Sequence, residues 1–515
     1  MRKKRKTYLG LVSLLLLTLI SGCTALTRNL PPVVGAPAAP TPLTQEGTPE
    51  NEAAVTPFKE LARITLAKGQ IDYPEETSLS PDGSLVALVI TSEKEQSLWL
   101  HHLENRRATL LLSIDKAQVE AGRLLLRILG WTKDNRLIFM RQGTQPDGIH
   151  HGQRGLVFYQ ATPAAGTAAQ VTEINWLPVK NYYVRQVNLT QTAPEARVHV
   201  GDAIWRVPMT GTKPQPLKDK LPSYDGLFYP HLAPGGAYYV YELREENQNG
   251  IYLLDTTTGT ETCLVPNGAN LNFLPRWSPD GSHLAFYSAG LKAGHTDPYD
   301  KYDIIPAEDG PMPVAEEIHL ITPSGKTTRL SLPGLKLAYF RWSADGRHLA
   351  FLAGAEKSLP DDDLRQGFCI AALWISDLDG NLTKIADLPE KDIFDITILD
   401  VDPQGQRVHF LAQEEEQSSL WLAQKGKEPQ EIAIGNKGRG YFWLTHPLAK
   451  IGGSVFLVYD TEGARQIIEV NGDRAKHLVS GGWQTYLVGI RGKHLVYTCD
   501  SSDNKTTDLV LLEVK

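Results

Sequence analysis

Apolar and polar positions recur along most of the chain in one phrase. A short strand ends in an aromatic or apolar residue, a Ser-Pro-Asp-Gly type of turn follows, and a nearly continuous apolar run comes next. The clearest copies are Leu274–Tyr287, Tyr339–Leu352 and Ser78–Leu88. In such a turn Pro fixes φ, Asp bonds its own backbone and Gly supplies a positive φ, which predicts a β-hairpin. The apolar run predicts a second strand that is covered on both faces.

A second pair of short strands follows most copies, as in Leu98-Trp-Leu100 and Leu373-Trp-Ile375. Four strands per repeat make a propeller blade. Weaker copies, a degenerate unit at 182–217 and two further units at 441–479 and 485–515 bring the direct count to nine modules. Because propellers usually have about four to eight blades, we expect an all-β fold with a single β-propeller of eight four-stranded blades and one weak module miscounted. Seven or nine blades stay open.

The last module supplies three strands, at Tyr486, Leu495 and Leu509, and needs a fourth. Ala62–Ala67 could provide it. Joining both ends of the propeller in one blade would remove an exposed sheet edge and close the ring.

The chain starts with five cations followed by an apolar run of 13 residues, Tyr8–Ile20, the layout of a secretory leader. That run is shorter than the roughly 20 residues that a membrane-spanning helix needs. Ile20-Ser21-Gly22-Cys23 follows at once and resembles the lipobox of bacterial lipoproteins. The resemblance implies diacylglyceryl transfer to the Cys23 thiol and cleavage before it. The alternative is an ordinary leader with an incidental cysteine.

The organisation that follows is a lipoprotein signal peptide at 1–22, a lipidated linker at 23–57 and the β-propeller at 58–515. The linker contains seven prolines between residues 24 and 57 and has no sustained apolar period, which predicts a disordered tether. We therefore expect a lipid-anchored protein on the extracytoplasmic face of a cell membrane, with the bilayer reached through Cys23.

Net charge excludes one class of partner. Loss of the leader takes the balance of basic to acidic residues from 52 against 59 to 47 against 59, a net charge of −12. A protein of that sign is not expected to bind nucleic acid or an anionic lipid surface. We also expect a monomer.

Catalytic signatures are missing from the sequence. It has no zincin, Walker or dinucleotide-binding motif, so neither an enzyme nor a cofactor other than the Cys23 lipid is predicted. Cys263, Cys369 and Cys499 show no disulfide or metal spacing and are interpreted as small core residues. Trp131, Trp277 and Trp342 occupy the same position of their repeats, which indicates core packing.

The strongest chemical anomaly is a long insertion at 289–316. It carries His295, Asp297, Asp300 and Asp303, a spacing of carboxylates that would suit a divalent cation or a contact with a partner on one rim of the ring. The alternative is a solvated acidic loop, because the glycine and the distal Glu of an EF-hand are missing. The acidic loop Leu359–Leu364 and the pair His150-His151 raise the same question and are interpreted as exposed loops.

The Ser-Pro-Asp-Gly phrase followed by an apolar strand resembles the TolB-like propeller repeats, which also build the propeller of dipeptidyl-peptidase-type enzymes. The resemblance spans most of residues 76 to 433, and the repeat is clearest in the copies at 80, 278 and 343. It implies an extracytoplasmic propeller that serves as a protein-binding platform, without implying a particular ligand. The peptidase branch would require a hydrolase domain with a Gly-x-Ser-x-Gly elbow, which does not occur.

Together these features predict a binding or scaffolding module for proteins of the cell envelope. The alternative is an envelope enzyme or binder that acts on polysaccharide or peptide through residues gathered from several rim loops.

Overall fold

The computed structural model shows a chain built almost wholly of β-strands. It describes residues 58–67, 73–91, 94–105, 107–120, 124–145, 151–163, 170–179, 184–189, 195–200, 203–218, 227–245, 248–290, 304–307, 310–357, 367–388, 395–413, 418–432, 441–443, 449–451, 454–461, 464–481, 485–491, 493–500 and 506–514. The one helix in these ranges, α1 (Lys116–Glu120), has five residues, and no helix there has the length and apolar character needed to cross a bilayer.

The first three blades follow one another along the chain, each with four antiparallel strands in sequence order. Blade 1 contains β2 (Tyr73–Leu79), β3 (Leu85–Thr91), β4 (Glu95–His102) and β5 (Arg107–Asp115). Blade 2 contains β6 (Leu124–Trp131), β7 (Leu137–Thr144), β8 (Arg154–Thr162) and β9 (Gln170–Pro178). Blade 3 contains β10 (Val184–Leu189), β11 (Glu195–Val200), β12 (Ala203–Pro208) and β13 (Gln215–Lys218).

The middle blades include the long insertion, which forms a hairpin of its own. Blade 4 contains β14 (Leu227–Leu232), β15 (Tyr238–Glu245), β16 (Gln248–Asp255) and β17 (Glu261–Pro266). Blade 5 contains β18 (Asn270–Trp277), β19 (Leu284–Gly290), β22 (Glu317–Ile321) and β23 (Thr327–Ser331), with the hairpin strands β20 (Ile304–Ala307) and β21 (Gly310–Ala315) inserted after β19. Blade 6 contains β24 (Lys336–Trp342), β25 (His348–Lys357), β26 (Gly367–Asp377) and β27 (Leu382–Asp387).

The last three blades complete the fold, and the final one takes a strand from the start of the propeller. Blade 7 contains β28 (Asp395–Val401), β29 (Arg407–Gln413), β30 (Ser418–Gln424) and β31 (Gln430–Ile432). Blade 8 contains β32 (Tyr441–Trp443), β33 (Ala449–Ile451), β34 (Ser454–Thr461), β35 (Ala464–Asn471) and β36 (Arg474–Gly481). Blade 9 contains β37 (Tyr486–Arg491), β38 (His494–Asp500), β39 (Thr506–Val514) and β1 (Phe58–Ala67).

The described strands therefore form nine blade sheets, and the propeller of four-stranded blades is confirmed. Each of the nine modules counted in the sequence is a blade, including the degenerate unit at 182–217, which is blade 3. The preference for eight blades was wrong because no weak module is miscounted. It rested on the usual size range of propellers, whereas the number of blades is set by how many repeats the chain carries.

Hydrophobic contacts join the blades into a ring. Nine clusters of buried apolar residues can be traced in the described part of the chain, and each lies between two consecutive blades, including one between blades 9 and 1. Along β3, Leu85 and Ala87 pack towards blade 2, while Val86 and Leu88 pack towards blade 9. The expectation that this strand is covered on both faces is thus confirmed, because alternate side chains of one strand serve two interfaces.

Blade 9 closes the ring as the sequence predicted. β1 pairs antiparallel with β39, with Ile64 opposite Leu509 and Phe58 opposite Val514. Arg63 Nη1 lies 2.6 Å from Asp508 Oδ2, and Thr65 Oγ1 donates a 2.8 Å hydrogen bond to Asp508 Oδ1. The strand that begins the propeller is therefore held by the strand that ends it.

Antiparallel connectivity gives the ring two different faces. The turns that join the first to the second strand and the third to the fourth strand of each blade lie on one face, here named the turn face. The connections between second and third strands, and between successive blades, lie on the other, here named the loop face. Because Phe58 pairs with Val514 at the end of a third strand, β1 begins on the turn face.

Local hydrogen bonds shape the turns of the turn face. In blade 5, Ser278 Oγ and the Ser282 amide donate to Asp280 Oδ1 at 2.6 and 3.0 Å. Burial would raise the pKa of Asp280, but these donors outweigh it and the pKa lies below its usual range. Neighbouring turns are in close contact: a Cβ at Gly346, where φ is 73°, would lie 2.9 Å from Asp280 Oδ1 of the preceding blade.

Tryptophans at the predicted position pack between blades. Trp277 and Trp342 are buried and Trp131 is partly buried against the blade 1 and 2 cluster, as expected. Trp342 Nε1 donates a 3.3 Å hydrogen bond to the Arg276 carbonyl of the preceding blade, and Trp131 Nε1 donates one of the same length to the Ser78 carbonyl. The same contact therefore repeats in two different interfaces.

The cysteine interpretation is only partly right. Cys499 packs against the apolar cluster between blades 8 and 9, as a small core residue would. Cys263 is exposed on β17, so its interpretation as a core residue was wrong. The outermost strand of a blade has one face in solvent, and sequence alone did not show which face Cys263 occupies. The side chain of Cys369 lies outside the described residues.

The interface between blades 3 and 4 contains buried charged residues. Glu195 and Arg197 of β11 are buried and face blade 4, together with His199, whose Nδ1 lies 2.6 Å from the Tyr239 hydroxyl. Glu195 also pairs with Arg206 at 2.5 Å. Burial would raise the pKa of Glu195, but hydrogen bonds from the two arginines outweigh it and lower the pKa. These buried polar groups alternate along β11 with the apolar residues Ala196, Val198 and Val200, which pack towards blade 2.

Candidate functional site

The sequence-predicted site residues fall mainly in parts of the chain that the structure leaves out. Cys23, His295, Asp297, Asp300 and Asp303 all lie outside the described residues. The same holds for His150 and the acidic loop at 359–364, while His151 is exposed. Among the side chains that are described, no group of three or more His, Cys, Asp or Glu is arranged to hold a metal ion. The rim contacts of the insertion therefore stay a prediction.

The base of the insertion is fixed by described residues. The Gly290 amide, at the end of β19, donates a 3.0 Å hydrogen bond to Glu316 Oε2, just before β22. The other oxygen of Glu316 accepts a hydrogen bond from the Lys336 ammonium, at the start of blade 6. Burial would raise the pKa of Glu316, but these two donors outweigh it and lower the pKa. Glu316 thus ties both ends of the insertion to the next blade.

The insertion also continues the sheet of blade 6. β20 and β21 form an antiparallel hairpin, and Val314 and Ala315 of β21 pair with Ala338 and Leu337 of β24. β24 is the first strand of its blade, and first strands of neighbouring blades contact one another around the ring, as β24 contacts β28 and β2 contacts β37. The hairpin therefore sits on the inner edge of blade 6. An insertion that leaves blade 5 in this way bridges two blades on the loop face.

A cleft of about 660 Å³ opens beside this base, between blades 5 and 6. Its apolar wall is the connection from Leu332 to Leu335, a tight turn in which the Leu335 amide donates to the Leu332 carbonyl at 3.1 Å. Pro at the second position and Gly334, with φ of 75°, at the third suit a type II turn. Ala355, near the end of β25, lines the cleft on the side of blade 6.

Charged side chains line the rest of the cleft in two ion pairs. Glu316 pairs with Lys336, and Glu317 pairs with Arg329 of β23. His319 Nε2 lies 2.7 Å from the second oxygen of Glu317. The two sides of the Glu317 pair differ in burial, because 13% of the Glu317 side chain is exposed against 63% for Arg329. The less exposed partner is thus the carboxylate.

The cleft is lined by charged and apolar groups that can contact a ligand. Its described lining contains one hydroxyl, Ser331, and neither a histidine nor a cysteine, so a nucleophile with an adjacent base is not formed there. Two carboxylates, two cations and an apolar turn instead offer hydrogen bonds and ion pairs around a shaped surface.

These cleft residues were missed by sequence reasoning. Glu317 and Arg329 are twelve positions apart, and Lys336 belongs to a different blade from Glu316, so no spacing in the sequence marks them as a group. The boundary of the insertion at 289–316 was the available indication in the sequence, because Gly290 and Glu316 lie at its two ends.

Comparison with solved structures finds distant structural similarity to other proteins. No known protein family and no curated protein matches the sequence. Among solved structures, dipeptidyl peptidase 4 of Porphyromonas gingivalis matches 87% of this chain with 14% identity and a TM-score of 0.43, and the chain spans 58% of that protein. A protein assigned as a TolB from Agrobacterium tumefaciens matches 58% of this chain and 90% of its own, with 16% identity and a TM-score of 0.27. An oligogalacturonate lyase from Vibrio parahaemolyticus matches 72% and 98%, with 11% identity and a TM-score of 0.35.

These three proteins are a peptidase, a TolB and a lyase, which are different kinds of protein. At this similarity nothing about activity passes to this chain, since one fold supports many functions. What the chain does has to be argued from its own residues.

Proposed function

We propose that this chain is a lipid-anchored, extracytoplasmic β-propeller that binds or scaffolds a protein of the cell envelope. The leader and Ile20-Ser21-Gly22-Cys23 support the anchor. The single observation that carries the binding role is the asymmetry of the two faces. On the turn face, turns of neighbouring blades pack against one another, whereas the cleft between blades 5 and 6 opens on the loop face, beside the base of the blade 5 insertion.

The loop face fits this assignment because the cleft opens on it. Loops that vary in length on a rigid scaffold are where proteins commonly place their binding residues.

The partner is tested by site-specific photo-crosslinking in intact cells. A benzophenone amino acid replaces either Ser331, exposed in the cleft, or Gln404, exposed on the turn face. We expect a discrete protein adduct from position 331 that is lost in the Cys23→Ala form, and none from position 404. Adducts from position 404 alone, or glycan without protein at position 331, would overturn the proposal.

The anchor has a separate test. Cells that are fed an alkyne-bearing fatty acid should label the native protein and leave Cys23→Ala unlabelled. Equal labelling of both forms would show that Cys23 is not the lipid site, whatever the outcome of the crosslinking.

A further inference from the structure

We propose that the cleft between blades 5 and 6 binds an extended, basic segment of a partner protein, whose Lys or Arg side chain takes the place of Arg329 on Glu317. This inference rests on the proposed binding function and names the chemistry of its partner.

In the Glu317–Arg329 ion pair the cation can be replaced more easily than the carboxylate. Glu317 is held in place by His319 at 2.7 Å and only 13% of its side chain is exposed, whereas Arg329 lies on the outermost strand with 63% of its side chain exposed. Water screens an exposed guanidinium, so its pairing contributes little to stability. An incoming cation meets a carboxylate that is already oriented, and Arg329 can return to solvent at small cost.

The shape of the cleft suits a short length of polypeptide. Its volume of about 660 Å³ lies within the range of sites that take small ligands. Leu332 and Leu335, both partly buried against the interblade core, give an apolar wall next to the two carboxylates. A segment that alternates cationic and apolar side chains would place one kind on Glu317 and the other on this wall.

The composition of the chain favours a cationic partner. The full sequence carries 59 acidic against 52 basic residues. A net negative charge attracts partners of the opposite sign and disfavours like ones. An acidic peptide and a second copy of this acidic chain are therefore disfavoured.

The binding test uses the detergent-solubilised full chain and a short fluorescein-labelled peptide in which Arg alternates with Ala. In the matched control peptide every Arg is citrulline, which keeps the shape and removes the charge. By fluorescence anisotropy the Arg peptide should bind at least about tenfold more tightly than the citrulline peptide, as expected for a hydrogen-bonded ion pair. Equal binding of the two peptides, or of a neutral oligosaccharide, would overturn the proposal.

Paired variants locate the site. Glu317→Gln should weaken binding of the Arg peptide by about tenfold, while Glu428→Gln, an exposed acid on the turn face, makes the same charge change and should have no effect. Arg329→Ala should bind several-fold more tightly because the competing cation is gone. Arg347→Ala, exposed on the turn face of blade 6, should match the native chain.

Three results would overturn the proposal or separate it from the proposed function. Equal gains in affinity for the Arg peptide from Arg329→Ala and Arg347→Ala would show that binding depends on the overall charge of the protein. Weaker binding of the peptide by Arg329→Ala would show that Arg329 contacts the peptide and does not compete with it for Glu317. Both results overturn the proposal. Should Glu317→Gln lose its circular dichroism spectrum, the two arginine variants still decide. A protein crosslinked at position 331 with no binding of the Arg peptide would refute this inference and leave the proposed function standing.

Discussion

Removing the charge of Glu195 should destabilise the propeller far more than removing its exposed partner. Glu195 has 9% of its side chain exposed and pairs with Arg197, 7% exposed, and with Arg206, 39% exposed. Within the described residues, Nε and Nη1 of Arg197 have no hydrogen-bond partner, so Glu195 supplies the acceptor for its guanidinium. Glu195→Gln therefore leaves a buried cation without a counter-charge, which costs about 3–5 kcal/mol.

Two further variants among the charged residues of blade 3 serve as comparisons for the loss of stability in Glu195→Gln. Arg206→Met removes an exposed pair and should cost no more than about 1 kcal/mol. The double variant Glu195→Leu/Arg197→Met removes both buried charges together and should be neutral or more stable by about 1–4 kcal/mol, because the burial penalty of both ions disappears.

The assay is urea unfolding at neutral pH, followed by circular dichroism and by tryptophan fluorescence. The free energy of unfolding from the midpoint and slope of each curve gives the three differences. A loss below about 1 kcal/mol for Glu195→Gln, equal to that of Arg206→Met, would refute the reasoning that the charges between blades 3 and 4 are desolvated.

Three further predictions address pH, packing and ring closure. Burial lowers the pKa of His101 from 6.5 to about 4, so the unfolded chain binds a proton at this side chain at a higher pH than the folded chain does, and stability falls as the pH drops from 6.5 to 4. The urea midpoint of His101→Leu should fall less than that of the native chain over this pH range. An equal fall of the midpoint in both proteins would contradict the prediction. Gly346→Ala should lower the free energy of unfolding by about 1–3 kcal/mol more than Gly325→Ala does. Both glycines have a positive φ, but of the two only a Cβ at position 346 would press against Asp280 of the preceding blade. Equal melting temperatures of the two variants would count against this contact. Deletion of 58–67 exposes the edge of β39 and should produce oligomers in light scattering, whereas a stable monomer would show that β1 is dispensable for closure.

Much of the fold could be predicted because the repeat is local. Pro-Asp-Gly turns and nearly continuous apolar runs extend over about ten residues, so the sequence alone predicted the hairpins, the doubly covered second strands and the propeller class. Ring closure by Ala62–Ala67 followed as well, since a three-stranded last module needs a fourth strand.

The sequence predicted the location of the candidate site but not the residues that form it. The insertion at 289–316 was recognised, but the residues singled out in it were its own His and Asp side chains, and their role is still a prediction. Glu316, Glu317, Arg329 and Lys336 were missed because each looks like an ordinary surface charge until its blade is placed beside the next one.

The sequence by itself determined the kind of blade, the way the ring closes and the acidic composition of the insertion at 289–316 and of the loop at 359–364, since these depend on neighbouring residues and on composition. Tertiary structure decided that all nine repeats form blades, that β21 pairs with β24 of the next blade, and that Cys263 faces solvent while Arg197 is buried. The physical reason is range. Turn and strand preferences are properties of a few adjacent residues, whereas an ion pair between blades exists only once the twist and register of two sheets have brought distant side chains within a few ångströms.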